Sequence, residues 1–339
     1  MTATDDLRIG VLGVGRIGTM HVDLIANRTD NASMTGVFDV FDEGADAVAR
    51  RFGVTKFGSI EELLSSNQVD AVAICTSTDT HVDLMVAAAE AGKAIFCEKP
   101  VSLDLNEVDR GLAAVAAAGV PLHIGFNRRF DAGHRAVRDA VANGTIGDLR
   151  QIRITSRDPE PPPVSYIERS GGIFLDMTIH DFDMARFVAG SDVVEVYAKA
   201  WITVDQAISD AGDYDTLTVM LTHENGAVTT IDNCRQSAYG YDQRVEAFGS
   251  AGAAISENQR ENYAVTLTTD GGRSAKVPNF FLERYIPSYI RQWNDFVAAV
   301  TSGNPTPVSG ADGRAPLVMG LAAGRSVAEN RPVATSEIG

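Results

Sequence analysis

Residues 7–18 have the sequence LRIGVLGVGRIG, an apolar run that passes directly into three spaced glycines. The apolar part predicts a buried strand, and the pattern of residues 16–27 predicts a helix immediately after the glycines. A strand, a glycine turn and a helix in this order are typical of a doubly wound α/β sheet that binds a dinucleotide. The alternative is an ordinary glycine-rich turn without a ligand.

Each glycine of this turn has its own expected task. Gly13 permits the tight turn, Gly15 lets a pyrophosphate approach the backbone, and Gly18 lets helix and strand pack closely. The helix begins at the phosphates, where its N–H groups and the positive end of its dipole favour an anion. We therefore expect Gly13, Gly15, Arg16 and Ile17 to contact the cofactor.

An acidic residue follows the second predicted strand at the distance typical of a ribose-binding group. The strand at 34–38 ends in Asp39, which comes 21 residues after Gly18. A carboxylate accepts hydrogen bonds from the 2′-hydroxyl of the ribose but repels a 2′-phosphate, and the next residue is Val40 rather than a compensating arginine. NAD is therefore favoured over NADP. The alternative is a solvated aspartate at a strand end.

A lysine closes another strand of the same predicted sheet. Residues 94–97 form an apolar strand candidate, and Glu98, Lys99 and Pro100 follow it. Ligands of doubly wound sheets bind at the carboxyl ends of the strands. We therefore expect Glu98 and Lys99 to contact the cofactor, with the Lys99 ammonium available for chemistry. Taken alone, a lysine after a strand is more often a solvated charge.

The strand candidate at 70–75 supplies further polar groups at this edge. Thr76 and Ser77 follow it directly, and His81 opens the next helical stretch. Their hydroxyls are expected beside the nicotinamide, and His81 is expected to contact the cofactor as well. Helix capping is the alternative role for the two hydroxyls.

A second polar cluster lies in residues 171–181, which have the sequence GGIFLDMTIHD. Asp176 and His180 are four residues apart, so they share one face if the segment is helical. Together with Lys99 they form a set that suits proton transfer at an alcohol or carbonyl, provided that a cofactor takes the hydride. A helical Asp/His pair alone is often no more than a surface hydrogen bond.

The pattern of the chain changes after Gly125. Up to that point strands alternate with helices, which predicts right-handed βαβ units and a parallel sheet in an N-terminal Rossmann domain, residues 1–126. Residues 127–339 are expected to form an α+β domain with a large, mostly antiparallel sheet, whose clearest hairpin signal is Asn225-Gly226. An open sheet face needs a cover, so we expect a homo-oligomer through this face, with a tetramer favoured.

Composition limits the classes of partner. The 339 residues carry a formal net charge of −16, which disfavours nucleic acid and anionic membrane surfaces. The three cysteines Cys75, Cys97 and Cys234 show neither a disulfide framework nor metal-ligand spacing. Residues 1–6 lack the basic and apolar regions of a signal peptide. These features predict a cytoplasmic enzyme that acts on a small molecule without a metal.

The chain resembles the glucose-fructose oxidoreductase and inositol dehydrogenase family over essentially its whole length. The likeness rests on the glycine turn at 13–18, on Glu98-Lys99-Pro100, and on the cluster at 171–181. Within the family the likeness to inositol dehydrogenases is greatest. That likeness rests on the motifs GFNRRFD at 125–131, SRDP at 156–159 and YGYD at 239–242.

The resemblance implies NAD-dependent oxidation of a ring hydroxyl of myo-inositol to 2-keto-myo-inositol (scyllo-inosose). Lys99, Asp176 and His180 match the catalytic positions of the family. His180 suits the role of base because an imidazole pKa lies near neutrality, Asp176 would orient it or bind substrate, and Lys99 would polarise the reacting oxygen or relay its proton. The residues that match substrate-side positions are Asn127, Arg128, Asp158 and Tyr241.

Other functions stay open at this point. Some inositol dehydrogenases have His and Asn where this chain has Ser156 and Asp158, so the exact polyol is not determined. A scyllo-inositol dehydrogenase and an aldose 1-dehydrogenase would use the same three catalytic residues. A regulatory protein that senses the nicotinamide cofactor without turnover is the alternative from another class, although it has no need for the complete set.

Overall fold

The structure is a computed structural model that describes residues 6–339. The first five residues, on which part of the signal-peptide argument depends, lie outside the described residues. The chain divides into two compact units. The first contains the residues up to Asn127 together with Tyr289–Ala315, and the second contains Arg128–Ser288 together with Pro316–Gly339. The boundary expected between residues 126 and 127 stays a prediction.

A six-stranded parallel sheet forms the centre of the first unit. Its strands are β1 (Leu7–Leu12), β2 (Ala32–Phe38), β3 (Thr55–Lys56), β4 (Ala71–Ile74), β5 (Ala94–Cys97) and β6 (Leu122–Ile124). They lie in the order β3-β2-β1-β4-β5-β6. This order reverses direction between β1 and β4, and the carboxyl ends of strands at such a switch point form the ligand crevice of doubly wound sheets.

Five helices connect these strands, as the alternation of the sequence predicts. They are α1 (Arg16–Arg28), α2 (Asp42–Phe52), α3 (Ile60–Ser65), α4 (His81–Glu90) and α5 (Leu105–Ala118). The strands β1, β4 and β5 are almost wholly apolar, and all four residues of β4 are completely buried. Both faces of the sheet are therefore buried, which is the usual state of a parallel sheet between helices.

The second unit contains a larger sheet and a separate hairpin. Its strands are β7 (Leu149–Arg157), β8 (Val193–Trp201), β9 (Thr216–His223), β10 (Val228–Cys234), β11 (Asp242–Gly249), β12 (Ala253–Ser256), β13 (Val265–Thr268), β14 (Gly271–Ser274) and β15 (Val333–Ala334). Seven of them form one sheet in the order β12-β11-β7-β10-β9-β8-β15, in which only β7 and β10 run parallel. The strands β13 and β14 pair only with each other. The predicted fold class is confirmed.

The helices beyond Asn127 complete the second unit. They are α6 (Ala132–Ala142), α7 (Val164–Ser170), α8 (Gly172–Asp176), α9 (Ile179–Ala189), α10 (Gln206–Asp210), α11 (Phe281–Ser302) and α12 (Gly310–Glu329). The last two supply residues to both units. Within residues 6–339, no helix combines the length and the apolar character needed to cross a membrane.

The large sheet has one buried and one exposed face. Along β9, Leu217 and Val219 are buried in a core cluster that also contains Phe182 of α9. The alternate residues point the other way, and on that face Trp201 and Met220 are 47% and 43% exposed. The sheet therefore presents apolar side chains to solvent, as the sequence pattern led us to expect.

Candidate active site

The glycine turn after β1 is tightly closed at Gly13 and Gly18 and open beside Gly15. Gly13 has φ of +85°, and a Cβ there would lie 2.8 Å from the backbone nitrogen of Thr76. A Cβ on Gly18 would lie 1.9 Å from the carbonyl oxygen of Gly13, so helix α1 can approach β1 only with glycine here. A Cβ on Gly15 would meet no described atom within 4 Å. Gly13 and Gly18 therefore allow the turn to close, and the space beside Gly15 is open to a ligand.

The start of α1 adds a site for negative charge at this turn. Gly15 is the N-cap of α1 and offers no side chain to the first amide groups of the helix. These amides and the helix dipole favour an anion. The residues that open the helix are the predicted cofactor contacts Arg16 and Ile17.

Asp39 is tied to the same turn by hydrogen bonds. Its Oδ2 accepts the N–H of Val14 at 2.7 Å, and its Oδ1 accepts the N–H of Phe41 at 2.9 Å. Asp39 is therefore more than a solvated residue at a strand end. A carboxylate can accept about four hydrogen bonds, so these two contacts leave room for ribose hydroxyls.

The polar residues after β4 and β5 meet through His81. The His81 ring is buried, with Nδ1 at 2.8 Å from the carbonyl oxygen of Pro100 and Nε2 at 3.2 Å from that of Thr76. Burial lowers the pKa of His81, although these carbonyls oppose the shift. Ser77 makes no capping hydrogen bond with its side chain to the described backbone. His81 thus joins the two strand ends at which cofactor contacts are predicted.

A buried hydrogen-bond chain holds Glu98 beside Lys99. Trp293 Nε1 donates to His21 Nδ1 at 2.9 Å, and His21 Nε2 lies 2.8 Å from Glu98 Oε1. Because Nδ1 accepts, Nε2 carries the proton of a neutral imidazole and donates it to the carboxylate. The other oxygen of Glu98 accepts the backbone N–H of Lys99 at 3.2 Å. Sequence reasoning missed His21 and Trp293, whose apolar surroundings indicate only core packing.

In the second unit, Asp176 and His180 do not lie on one continuous helix. Asp176 is the last residue of α8, and His180 is the second residue of α9. The backbone of Thr178 between them bonds to the carbonyl of Ile173, five residues earlier, at 2.9 Å. The sequence predicts one shared face for Asp176 and His180 only if the segment forms a single helix. The segment does not form one, because this hydrogen bond to the fifth preceding residue interrupts the regular α-helical pattern. Both side chains are half-buried.

The Asp176 carboxylate accepts hydrogen bonds from two sides. The hydroxyl of Tyr166 donates to Oδ1 at 2.9 Å, and Nη1 of the buried Arg235 donates to Oδ2 at 3.3 Å. Neither donor was predicted from the sequence. These two hydrogen bonds restrain the orientation of the carboxylate.

Arg128 lies in a buried polar cluster of the same unit. Its Nη1 donates to Asp181 Oδ1 at 2.8 Å and to Ser156 Oγ at 3.0 Å. Asn233 donates to the other oxygen of Asp181 at 2.8 Å. Burial raises the pKa of Asp181 and the Arg128 charge lowers it, with a net rise. The position of the Arg128 guanidinium is thus fixed by the fold.

Two further predicted substrate residues surround this cluster. The ring of Tyr241 meets that of Tyr285 edge to face, with centroids 6.0 Å apart, and burial raises the pKa of Tyr241. The pKa of Asp158 is raised to about 6 by burial, with Arg128 opposing the rise and Asp176 adding to it. The second unit therefore brings Asp158 within electrostatic reach of Arg128, Asp176 and Tyr241.

Of the predicted catalytic and substrate-side residues, Lys99 and Asn127 belong to the first unit. Lys99 follows β5, and Asn127 is the last residue of the first segment of that unit. Asn127 is 2% exposed, and its Nδ2 has no hydrogen-bond partner among the described residues. Among residues 6–339, no group of three or more His, Cys, Asp or Glu side chains is arranged to hold a metal ion.

Comparison with known proteins gives matches over nearly the whole chain. Residues 7–126 match the family model "Oxidoreductase family, NAD-binding Rossmann fold", and residues 134–255 match the "GFO/IDH/MocA C-terminal domain". The Myo-inositol 2-dehydrogenase of Thermotoga maritima is 47% identical, with 98% of this chain and 99% of that protein covered. The Inositol 2-dehydrogenase of Rhizobium meliloti is 46% identical, with 96% and 98% covered.

A solved structure adds a bound cofactor to these similarities. The scyllo-inositol dehydrogenase of Lactobacillus casei, with bound cofactor NAD(H) and scyllo-inositol, superposes with a TM-score of 0.91 at 26% identity. The match covers 98% of this chain and 99% of that chain. The resemblance and the NAD cofactor inferred from the sequence are both confirmed. The chain belongs to the GFO/IDH/MocA family of NAD-binding oxidoreductases.

Proposed function

We propose that this protein oxidises myo-inositol to 2-keto-myo-inositol (scyllo-inosose) with NAD. The observation that carries the proposal is the similarity of 47% and 46% identity, over almost the full length, to a Myo-inositol 2-dehydrogenase and an Inositol 2-dehydrogenase. The arrangement of the second unit supports it, because Arg128, Asp158 and Tyr241 offer donors and acceptors of the kind that a polyol needs. We place the enzyme in the cytoplasm.

NAD, when bound, supplies the acceptor for the hydride. The glycine turn fits its pyrophosphate, because the space beside Gly15 is open and the first amides of α1 follow at Arg16 and Ile17. The Asp39 carboxylate would accept hydrogen bonds from the adenosine ribose. The remaining residues in proposed contact with the cofactor are Gly13, Thr76, Ser77, His81, Glu98 and Lys99.

Three residues would handle the proton of the reacting hydroxyl. His180 accepts it as the general base, since a neutral imidazole is available near pH 7. The Asp176 carboxylate orients His180 or binds the substrate. The Lys99 ammonium stabilises negative charge on the oxygen as the hydride leaves the carbon. Asn127, with its buried amide nitrogen, joins Arg128, Asp158 and Tyr241 in binding the other hydroxyls.

An absorbance assay at the NADH band tests this function. The purified protein is incubated with NAD and with myo-inositol, scyllo-inositol or an aldose, and each reaction is repeated with NADP. We expect the highest kcat/KM with myo-inositol and NAD. A higher value with scyllo-inositol or with an aldose would replace the proposed substrate. Binding of NAD without turnover of any of them would instead support a sensing role.

Asp39→Ala tests cofactor selection. The variant should bind NAD more weakly and tolerate NADP better, because a charged acceptor is lost and the repulsion of the 2′-phosphate disappears. The preference for NAD over NADP should decrease by about 1–3 kcal/mol, calculated from the ratio of kcat/KM with NAD to kcat/KM with NADP. The double variant Asp39→Ala, Val40→Arg should shift the cofactor preference further toward NADP, because residue 40 is 80% exposed and an arginine there can pair with the 2′-phosphate. Asp42→Ala, at an exposed carboxylate of α2, is the control, and an unchanged ratio in Asp39→Ala would reject the assignment.

Asp158→Asn tests the unusual carboxyl of the second unit. An unfolded aspartate has a pKa of about 3.9, whereas burial raises that of Asp158 in the fold to about 6. The folded state then holds the proton longer, so this group lowers wild-type stability as pH rises from about 4 to about 6. Asparagine removes this loss. We expect the difference in Tm between Asp158→Asn and wild type to become more positive from pH 4.5 to pH 7.

The control for this measurement is Asp139→Asn, at an exposed position of α6. It should change Tm by similar amounts at both pH values. A Tm difference for Asp158→Asn that stays constant with pH would contradict the raised pKa.

We also propose that the exposed face of the large sheet forms a homo-oligomer, with a tetramer favoured. Trp201, Met220 and Phe248 are each more than 40% exposed on strands of this sheet. Burial of such apolar area is favourable in an assembly. Light scattering coupled to gel filtration measures the assembly, and a monomer at micromolar concentration would reject it.

A further inference from the structure

Arg235 comes directly after β10 and has no exposed surface. Its guanidinium bridges two carboxylates of the second unit. Nη1 donates to Asp176 Oδ2 at 3.3 Å, and Nη2 donates to Asp213 Oδ2 at 3.1 Å. The backbone N–H of Arg235 donates to the carbonyl of Asp215 at 2.8 Å, which fixes the origin of the side chain. A guanidinium keeps its charge when buried, and its planar fork suits two partners at once.

Asp213 extends this bridge to the beginning of α8. Its Oδ1 accepts the N–H of Ile173 at 2.9 Å. The preceding residue, Gly172, has φ of +75°, and a Cβ there would lie 2.7 Å from Asp213 Oδ1. Glycine is therefore needed for this approach. Asp213 holds the first turn of α8, and Arg235 holds its last residue, Asp176, so the short helix is fixed at both ends.

Tyr166 and Arg235, which both donate to Asp176, differ in their burial and in their charge. Tyr166 is a neutral donor on a side chain that is 47% exposed, whereas Arg235 is a charged donor with no exposed surface. Hydrogen bonds from a charged donor are roughly twice as strong as neutral ones. The positive charge also acts on the neighbouring carboxyl, because Arg235 opposes the rise in the pKa of Asp158. Arg235 thus supplies a charged hydrogen-bond donor to the Asp176 carboxylate from the interior of the second unit.

We propose that Arg235 is a positioning residue of the active site, which fixes the orientation of the Asp176 carboxylate by binding it together with Asp213. This inference rests on the role that we propose for Asp176 beside His180. Arg235 itself contacts neither substrate nor cofactor in this scheme. Its effect on the reaction passes through Asp176. We therefore expect loss of the two-carboxylate bridge and loss of the positive charge to affect the reaction differently.

Two substitutions separate these effects. Arg235→Lys keeps a positive charge but loses the planar fork, and we expect kcat with myo-inositol to fall by about 10²-fold, as for other small displacements of a catalytic group. The ascending limb of kcat/KM against pH should stay in place. Arg235→Met loses the charge too, so the limb should move to higher pH, because a positive neighbour no longer disfavours the protonated imidazole. KM for NAD should change little in either variant.

Arg186→Lys is the matched control, since Arg186 also pairs with an aspartate of the second unit, with Nε at 2.8 Å from Asp192 Oδ1. It should keep wild-type kcat and pH profile. If Arg235→Met does not fold, as judged by circular dichroism, Arg235→Lys decides alone. Wild-type kcat in Arg235→Lys, or a lower Tm with unchanged kcat and pH profile, would overturn the proposal.

A crystal structure of Arg235→Lys separates failure of this inference from failure of the proposed function. If the wild-type enzyme oxidises no myo-inositol, the function fails, and the orientation of Asp176 remains measurable. We expect the Asp176 carboxylate to be rotated or to occupy several positions in the variant. An unchanged carboxylate would overturn the inference.

Discussion

Lys99→Met is expected to lose about 10²–10⁴-fold in kcat, the usual cost of removing a positioned proton-transfer group, while NAD binding stays close to wild type. Methionine keeps the length of the side chain but supplies neither charge nor proton. The turn itself should survive, because Glu98 is held by the His21–Trp293 chain and accepts the backbone N–H of residue 99, which methionine retains. Steady-state assays of NADH absorbance give kcat, and quenching of protein fluorescence gives the affinity for NAD.

Lys56→Met is the matched control for this result. Lys56 belongs to the same unit and pairs with the exposed carboxylates of Asp42 and Asp46 at 2.9 and 3.2 Å. Its loss removes one lysine charge of the first unit without touching the proposed site, so kcat should stay at the wild-type value. Near wild-type kcat in Lys99→Met would remove Lys99 from the mechanism, and an equal loss in both variants would indicate a general effect of charge.

The first unit was predictable because its signals are local. The three glycines of the turn lie within six residues, and the structure shows a steric requirement for glycine at Gly13 and Gly18 and open space beside Gly15. Asp39 was found from its distance along the chain to Gly18. Its hydrogen bond to Val14 joins residues 25 positions apart, but both lie at the ends of adjacent parallel strands, where the sheet brings such residues together.

The supports of the site were not predictable from such patterns. Trp293 and His21 are 272 positions apart, and Asp176 and Arg235 are 59 apart. Hydrophobic periodicity identifies the aromatic face of α11 as buried, but it cannot show that Trp293 directs its N–H to a histidine. A buried donor must find a partner, and which partner it finds depends on tertiary packing that no spacing in the sequence reports.

The separation of residues 164–189 into α7, α8 and α9 was also not predictable from spacing alone. Helical spacing would place Asp176 and His180 on one face only within a single helix. Gly171 and Gly172, which precede this segment, both have positive φ, at 82° and 75°. Two such residues separate α8 from α7, and α8, which ends at Asp176, is five residues long. Asp213 and Arg235 bind the two ends of this short helix. The assignment of Asp176 and His180 to the site stays a prediction, and the single helix on which part of it was based is not formed.

For wild type, kcat/KM for polyol oxidation is expected to rise with pH through an apparent imidazole pKa. A neutral His180 accepts the hydroxyl proton, whereas the protonated form, which dominates at lower pH, cannot. His180→Gln should therefore lower kcat by about 10²–10⁴-fold and abolish the ascending limb. Asp176→Asn should lower kcat and alter the profile while the fold survives. The measurement is kcat/KM from pH 5 to pH 9 for each variant.

The structure adds a competitor for the origin of that limb, because Asp158 has a pKa of about 6 and ionises in the same range. The two groups respond differently to substitution. If His180 is the base, Asp158→Asn keeps the ascending limb and shifts it to lower pH, since a nearby negative charge that favours the imidazolium is gone. If the carboxylate is the titrating group, Asp158→Asn abolishes the limb and His180→Gln retains it. A third outcome is that His180→Gln has comparable kcat and the same ascending limb both alone and combined with Asp158→Asn. Lys99 would then be the group that takes the proton, and His180 would only position the substrate.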